Sequence, residues 1–108
     1  MPTEYKVLGQ GEITTAVSNV YTVPAATQAV VSSVVITNRS SSNVNYRLAV
    51  QPAGVALANQ HYIAYDAVAA GSDSIALTLG LTLGNTDVVS ANASANDISI
   101  SIFGSEIT

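Results

Sequence analysis

Cysteine and tryptophan are absent from this 108-residue chain, and histidine, methionine and phenylalanine occur once each. Without cysteine there can be no disulfide, no thiolate metal ligand and no thiol nucleophile, and the redox compartment leaves no trace. Charge is scarce too. Three Lys and Arg stand against seven Asp and Glu, 9% of residues in all, for a net charge of −4. Three basic residues cannot supply the counterion release on which nucleic-acid binding depends, so no nucleic-acid partner is expected. Long hydrophobic runs are also missing. The most apolar run, residues 29–36, is broken by Ser32 and Ser33 and falls short of the ~20 residues of a membrane helix. The start, Met1 to Lys6, lacks the basic stretch and apolar run of a signal peptide. No membrane partner is expected.

What is plentiful is small apolar side chains: 48% of residues are hydrophobic but only 6% aromatic, and mean hydropathy is +0.38. A disordered chain has the opposite balance. The length suits one domain over residues 1–108. A surface so poor in charge suits a protein that works assembled, since free monomers carry more charge.

Period-two patterns dominate. Val44, Tyr46, Leu48 and Val50 alternate with Asn45, Arg47, Ala49 and Gln51, as on a strand with one buried face. Ile98, Ile100 and Ile102 alternate with Asp97, Ser99 and Ser101, and Ile75, Leu77 and Leu79 alternate with Ser74, Ala76 and Thr78. Further strands are predicted over 5–8, 15–23, 30–38, 60–67 and 86–91. Loop chemistry separates them: Gly9-Gln10-Gly11, residues 38–43, Gln51-Pro52-Ala53-Gly54, residues 70–73 and residues 84–87. Residues 54–59 could form one helical turn, and residues 79–84 read as strand, bend, strand. The expected fold is all-β, a small antiparallel β-sandwich of the jelly-roll or Ig-like kind with seven to eight strands.

Chemical signatures are few. His61 is the sole imidazole, placed on a strand face with Ile63 and Tyr65, and no nucleophile elbow accompanies it. Asp66, Asp73, Asp87 and Asp97 are spread over separate strands and loop edges, and no calcium-loop pattern occurs. Residues 92–97 offer short polar side chains that suit a tight turn. The Gly9-Gln10-Gly11 stretch has Thr14 where a dinucleotide fingerprint needs its third glycine. The two N-x-S matches, at Asn38 and Asn92, carry little weight in a chain rich in Asn and Ser. No catalytic residue, cofactor or metal is expected. Tyr21, Tyr46, Tyr62 and Tyr65 could stack on a sugar if exposed together, or fill a small core.

The stretches 51–54 (Gln-Pro-Ala-Gly), 59–66 (Asn-Gln-His-Tyr-Ile-Ala-Tyr-Asp), 77–83 and 86–89, with the ending 102–107 (Ile-Phe-Gly-Ser-Glu-Ile), resemble small virion structural proteins of tailed bacteriophages. The likeness is greatest to those of cyanobacterial phages, and the stretches 5–10 and 20–25 fit it. The resemblance implies a virion location, with assembly in the host cytoplasm, as a capsid decoration or as a neck or tail accessory protein.

A non-enzymatic bacteriophage structural protein is therefore expected, foremost an outer capsid decoration or cement protein. The alternatives are a neck, tail or fibre-attachment protein, or a carbohydrate-binding host-adhesion module. The expected partners are other phage structural proteins (the major capsid protein, or neck and tail proteins) and further copies of the chain, with surface glycans possible. The candidate assembly contacts are Pro2, Tyr5, Val7 and Leu8, whose strand could pair with a neighbour, and Phe103 and Ile107, placed just beyond the last strand.

Overall fold

The computed structural model describes residues 3–78 and 80–108; Met1, Pro2 and Leu79, named above, lie outside the described residues. Strand accounts for 63% of the described residues and helix for 6%. The strands are β1 (Thr3–Ile13), β2 (Ser18–Thr22), β3 (Gln28–Asn38), β4 (Val44–Gln51), β5 (Tyr62–Ala69), β6 (Ser74–Leu77), β7 (Leu81–Leu83), β8 (Val88–Ala93) and β9 (Ile98–Ile107). The helical residues are two single turns of 3₁₀ helix, Pro52–Gly54 and Asn59–His61.

Two antiparallel sheets form the sandwich. The first runs β1-β9-β3-β6, with β7 also paired to β3, and the second runs β2-β8-β4-β5. Strands β6 and β7 lie along successive parts of β3, opposite residues 34–37 and 29–31. They are two halves of one interrupted strand. Counting them as one gives eight strand positions, and sequence neighbours β1 and β2, β3 and β4, and β8 and β9 lie in opposite sheets. That double Greek key is the jelly roll, and it removes the Ig-like alternative. Nine separate strands are found among the described residues where seven to eight were expected, because β6 and β7 are separate, with Gly80 at φ +58° just before β7.

Alternation along each strand sets the core. Ile98, Ile100 and Ile102 are buried to 1% exposure or less, and Val34 and Ile36 on β3 lie opposite Ile102 and Ile100. Val44, Tyr46 and Leu48 face them from the second sheet. Ile75 and Leu77 point inward as expected, but they are half-buried because β6 is a sheet edge. Fully burying each such side chain stabilises the fold by about 1.5–3 kcal/mol.

The predicted elements differ at several boundaries, with the helical turn expected over 54–59 found as the two turns at its ends, and most clearly in three places. The Gly9-Gln10-Gly11 stretch is strand, not loop, within β1. A Cβ on Gly9 would sit 2.6 Å from the Val20 carbonyl oxygen, so glycine lets β2 cross β1 closely and close that side of the sandwich. Second, β2 begins at Ser18 rather than at residue 15. Third, His61 belongs to the 3₁₀ turn before β5, so the predicted strand face shared with Ile63 and Tyr65 does not form. The β4–β5 connection folds back instead: the Gln51 side chain accepts from Ser90 Oγ at 2.7 Å and donates to the Val55 carbonyl at 2.8 Å.

Candidate functional site

In the first sheet a bulge at Leu8 of β1 and another at Ser32 of β3 flank β9 within one residue of each other, around Phe103. Bulges bend a sheet and re-aim its side chains. Beyond this level the chain termini run together, and register decides which way each residue points. Lys6, Gly104 and Val31 share the inner face, where Val31 is fully buried. Their neighbours Tyr5, Val7, Val30, Phe103 and Ser105 therefore point outward. With Ser32 they line a groove of about 610 Å³ whose surface is mainly apolar.

Two aromatic and two aliphatic side chains make this surface mainly apolar, and the half-exposed Lys6 borders it. Tyr5 is 86% exposed and Val7 47%. The floor is set by Gly104, where a Cβ would lie 2.0 Å from the Val30 carbonyl oxygen, so no side chain can stand between β9 and β3 there. Ser32 donates to the Phe103 carbonyl at 3.1 Å and holds the bulged residue against the groove wall.

Behind the groove, between the sheets, lies a polar cluster. Glu106, 8% exposed, accepts from the Tyr21 hydroxyl at 2.5 Å and pairs with Lys6 Nζ at 2.7 Å. The Lys6 hydrogen bond first, and the Tyr21 hydrogen bond second, hold the Glu106 carboxyl below its usual value of 4.5 despite partial desolvation. Burial, followed by the neighbouring carboxylate, pushes the Tyr21 phenol well above its usual range. An ionised Glu106 accepting from both donors ties β9 to β1 and to β2 of the opposite sheet. It fixes the inner side of the strands whose outer side forms the groove.

Of the candidate contacts, Tyr5, Val7 and Phe103 come together in this groove. Leu8 is the bulged residue and packs half-buried against the core. Ile107 lies apart, lining a cleft of about 320 Å³ with Ala26, Thr27, Gln28, Asn85 and Thr108. Phe103 and Ile107 do not lie beyond the last strand. They belong to β9, which hydrogen-bonds to β1 on one side and β3 on the other, so their backbones have no free edge to offer. Tyr5, Val7 and Leu8 do lie on an edge strand, the eleven-residue β1, which pairs with β9 on one side. Val30 and Ser32 of β3 were not among the candidates, whereas Ser105 falls in the candidate segment 103–108, on the Phe103 face by the period-two alternation of β9.

The second sheet carries a different surface. Tyr21 and Tyr46 are buried at 7% and 3% exposure, so the four tyrosines do not form one exposed face. Tyr62 and Tyr65, however, meet edge to face with centroids 4.9 Å apart, and the Arg47 guanidinium lies 4.0 Å over the Tyr65 ring. Asp66 has φ +55° at an irregularity in the β4–β5 register, and its carboxylate accepts from Arg47 Nε at 2.7 Å and Nη2 at 3.3 Å. That hydrogen bond holds the Asp66 carboxyl below its usual value.

The remaining polar residues shape loops. His61 Nδ1 accepts from the Ala58 amide at 3.0 Å. Asp87 accepts from the Ala53 and Gly84 amides at 2.8 Å each, and buried Asn38 donates to the Ser42 and Ala69 carbonyls. Ser94, in the loop 94–97 between β8 and β9 (Asn92 and Ala93 of the expected turn are strand), accepts from the Asn45 amide. Among the described residues, no group of three or more His, Asp or Glu side chains is placed to hold a metal ion.

No family model matches the chain, and no curated protein does. The solved structure of infectious bursal disease virus, Gx strain, contains a chain that superposes on 97% of this one with a TM-score of 0.55 and 9% sequence identity. The present chain covers 32% of the length of that one. At this identity the likeness is one of fold alone.

Proposed function

We propose that this protein is a non-enzymatic structural component of a tailed-bacteriophage particle, an outer capsid decoration protein that reinforces the shell. The observation that carries the reading is the apolar groove of Tyr5, Val7, Val30 and Phe103 beside the free edge of β1. Isolated apolar side chains on a surface need no explanation, whereas a contiguous set around a concave floor marks a place for a partner. The sparse charge of the chain supports the same reading, because charged residues are usually depleted at the cores of interfaces. The resemblance of its sequence to small virion proteins of tailed phages gives the class of partner: capsid protein subunits and other copies of this chain.

Binding then proceeds by burial of the Tyr5–Phe103 surface, with backbone pairing along β1 adding direction. Side-chain chemistry is not required. The test is light scattering and capsid co-sedimentation of the wild type beside a Tyr5→Ser/Val7→Ser double variant. The wild type self-associates or sediments with capsids, and the variant, equally folded, does neither. A wild type that stays monomeric and fails to bind capsids overturns the proposal.

A further inference from the structure

On the second sheet, Asn59, Tyr62 and Tyr65 line a cavity of about 410 Å³, within the size range of small-molecule sites. We propose that this cavity binds a neutral pyranose, the exposed end of a surface glycan, as a site separate from the assembly groove. Three features select that ligand class. Tyr65 is 58% exposed, and the edge-to-face contact with Tyr62 gives the cavity two aromatic walls at about a right angle. Aromatic faces suit the C–H faces of a sugar ring, and tyrosine hydroxyls and the Asn59 amide supply hydrogen-bond partners for its hydroxyls.

The charges beside the site are already matched. Arg47 and Asp66 form a two-bond ion pair against Tyr65, so their charges neutralise each other and offer neither an anionic nor a cationic ligand a net opposite charge. A neutral polyhydroxylated ligand needs none. The pair also holds the Tyr65 ring in place before binding, through the guanidinium stacked 4.0 Å from its centroid, which lowers the ordering cost of binding. This surface lies on the opposite sheet from Tyr5 and Phe103, so one face can be held in an assembly while the other meets a glycan.

The test is an NMR titration of the full chain with maltotriose, lactose and chitotriose, and with a sulfated heparin tetrasaccharide as the anionic probe. At least one neutral sugar shifts the ring resonances of Tyr62 and Tyr65 and leaves those of buried Tyr21 and Tyr46 in place. Tyr65→Ala weakens that binding at least about tenfold, the scale of one aromatic contact, while its thermal midpoint stays near the wild type. Asn59→Ala weakens it with no change in fold. The proposal is overturned if no neutral sugar moves the two rings, if Tyr65→Ala binds as well as wild type, or if only the sulfated probe binds. Self-association is scored separately, so failure here leaves the assembly reading standing.

Discussion

The outer faces of the two sheets are built from the same kinds of residue and have come out differently. Near the chain termini, the first sheet shows an apolar groove in which Tyr5, Val7 and Phe103 face solvent beside an edge strand. Along β5, the second sheet shows a tyrosine corner locked by an Arg–Asp pair. The first surface gains most by being covered, because its side chains are apolar and its neighbouring edge has backbone groups to satisfy. The second has satisfied its charges internally and keeps a small concave site. On the two proposals made above, their difference is one of partner size: a broad protein surface for one, a single ring for the other.

The two faces share a core, and a core lesion should abolish both. Ile100→Ala removes a fully buried side chain between the sheets and should cost about 2–5 kcal/mol, read as a lowered denaturant midpoint. An unchanged midpoint would mean that the central strand does not hold the two faces together.

Gly104→Ala should separate them. The added methyl meets the β3 backbone below the groove, and the strain should cost about 1–3 kcal/mol. Self-association should weaken while the Tyr62 and Tyr65 resonances stay put. Shifts of equal size at both faces would show that the groove floor is coupled to the opposite sheet.

Tyr21→Phe removes one of two donors to Glu106 and should cost about 1–2 kcal/mol near neutral pH. Because the folded-state pKa of Glu106 lies below its ordinary 4.5, the stability it contributes is full above that value and is lost as pH falls through the lower folded one. Losing the Tyr21 hydrogen bond raises the folded pKa, so the acid-unfolding midpoint of the variant should move to higher pH. An acid midpoint identical to wild type would show that Lys6 alone sets the carboxylate.

The smallest stability effect and the sharpest functional one belong to Tyr5→Ser, which should change the denaturant midpoint by no more than about 0.5 kcal/mol at so exposed a site. Light scattering should nonetheless show reduced association. If Tyr65→Ala instead reduces association and Tyr5→Ser does not, the roles of the two faces are reversed.

The core was readable in advance because period two survives wherever a strand is regular: Ile98, Ile100 and Ile102 on β9, and Val44, Tyr46 and Leu48 on β4. The sandwich followed from that. The surfaces were less readable, because each depends on a break in the period. The Leu8 and Ser32 bulges decide that Tyr5, Val7, Val30 and Phe103 share a face, and no residue type announces either one. Asp66 at positive φ puts the carboxylate within reach of Arg47, where strict alternation had set it on the face opposite Tyr65. Glycines were misread for a related reason. Gly9 and Gly11 suggested a turn, whereas at Gly9 the need is for close approach by β2.

The proposal that this chain is a phage shell protein is tested most directly by its copy number in purified phage particles, measured by quantitative mass spectrometry against the major capsid protein. A shell decoration protein is present in a fixed ratio to the capsid subunits, several hundred copies per particle, and remains after washing. Recovery only in the soluble fraction of the lysate, with none in the particle, would contradict the account.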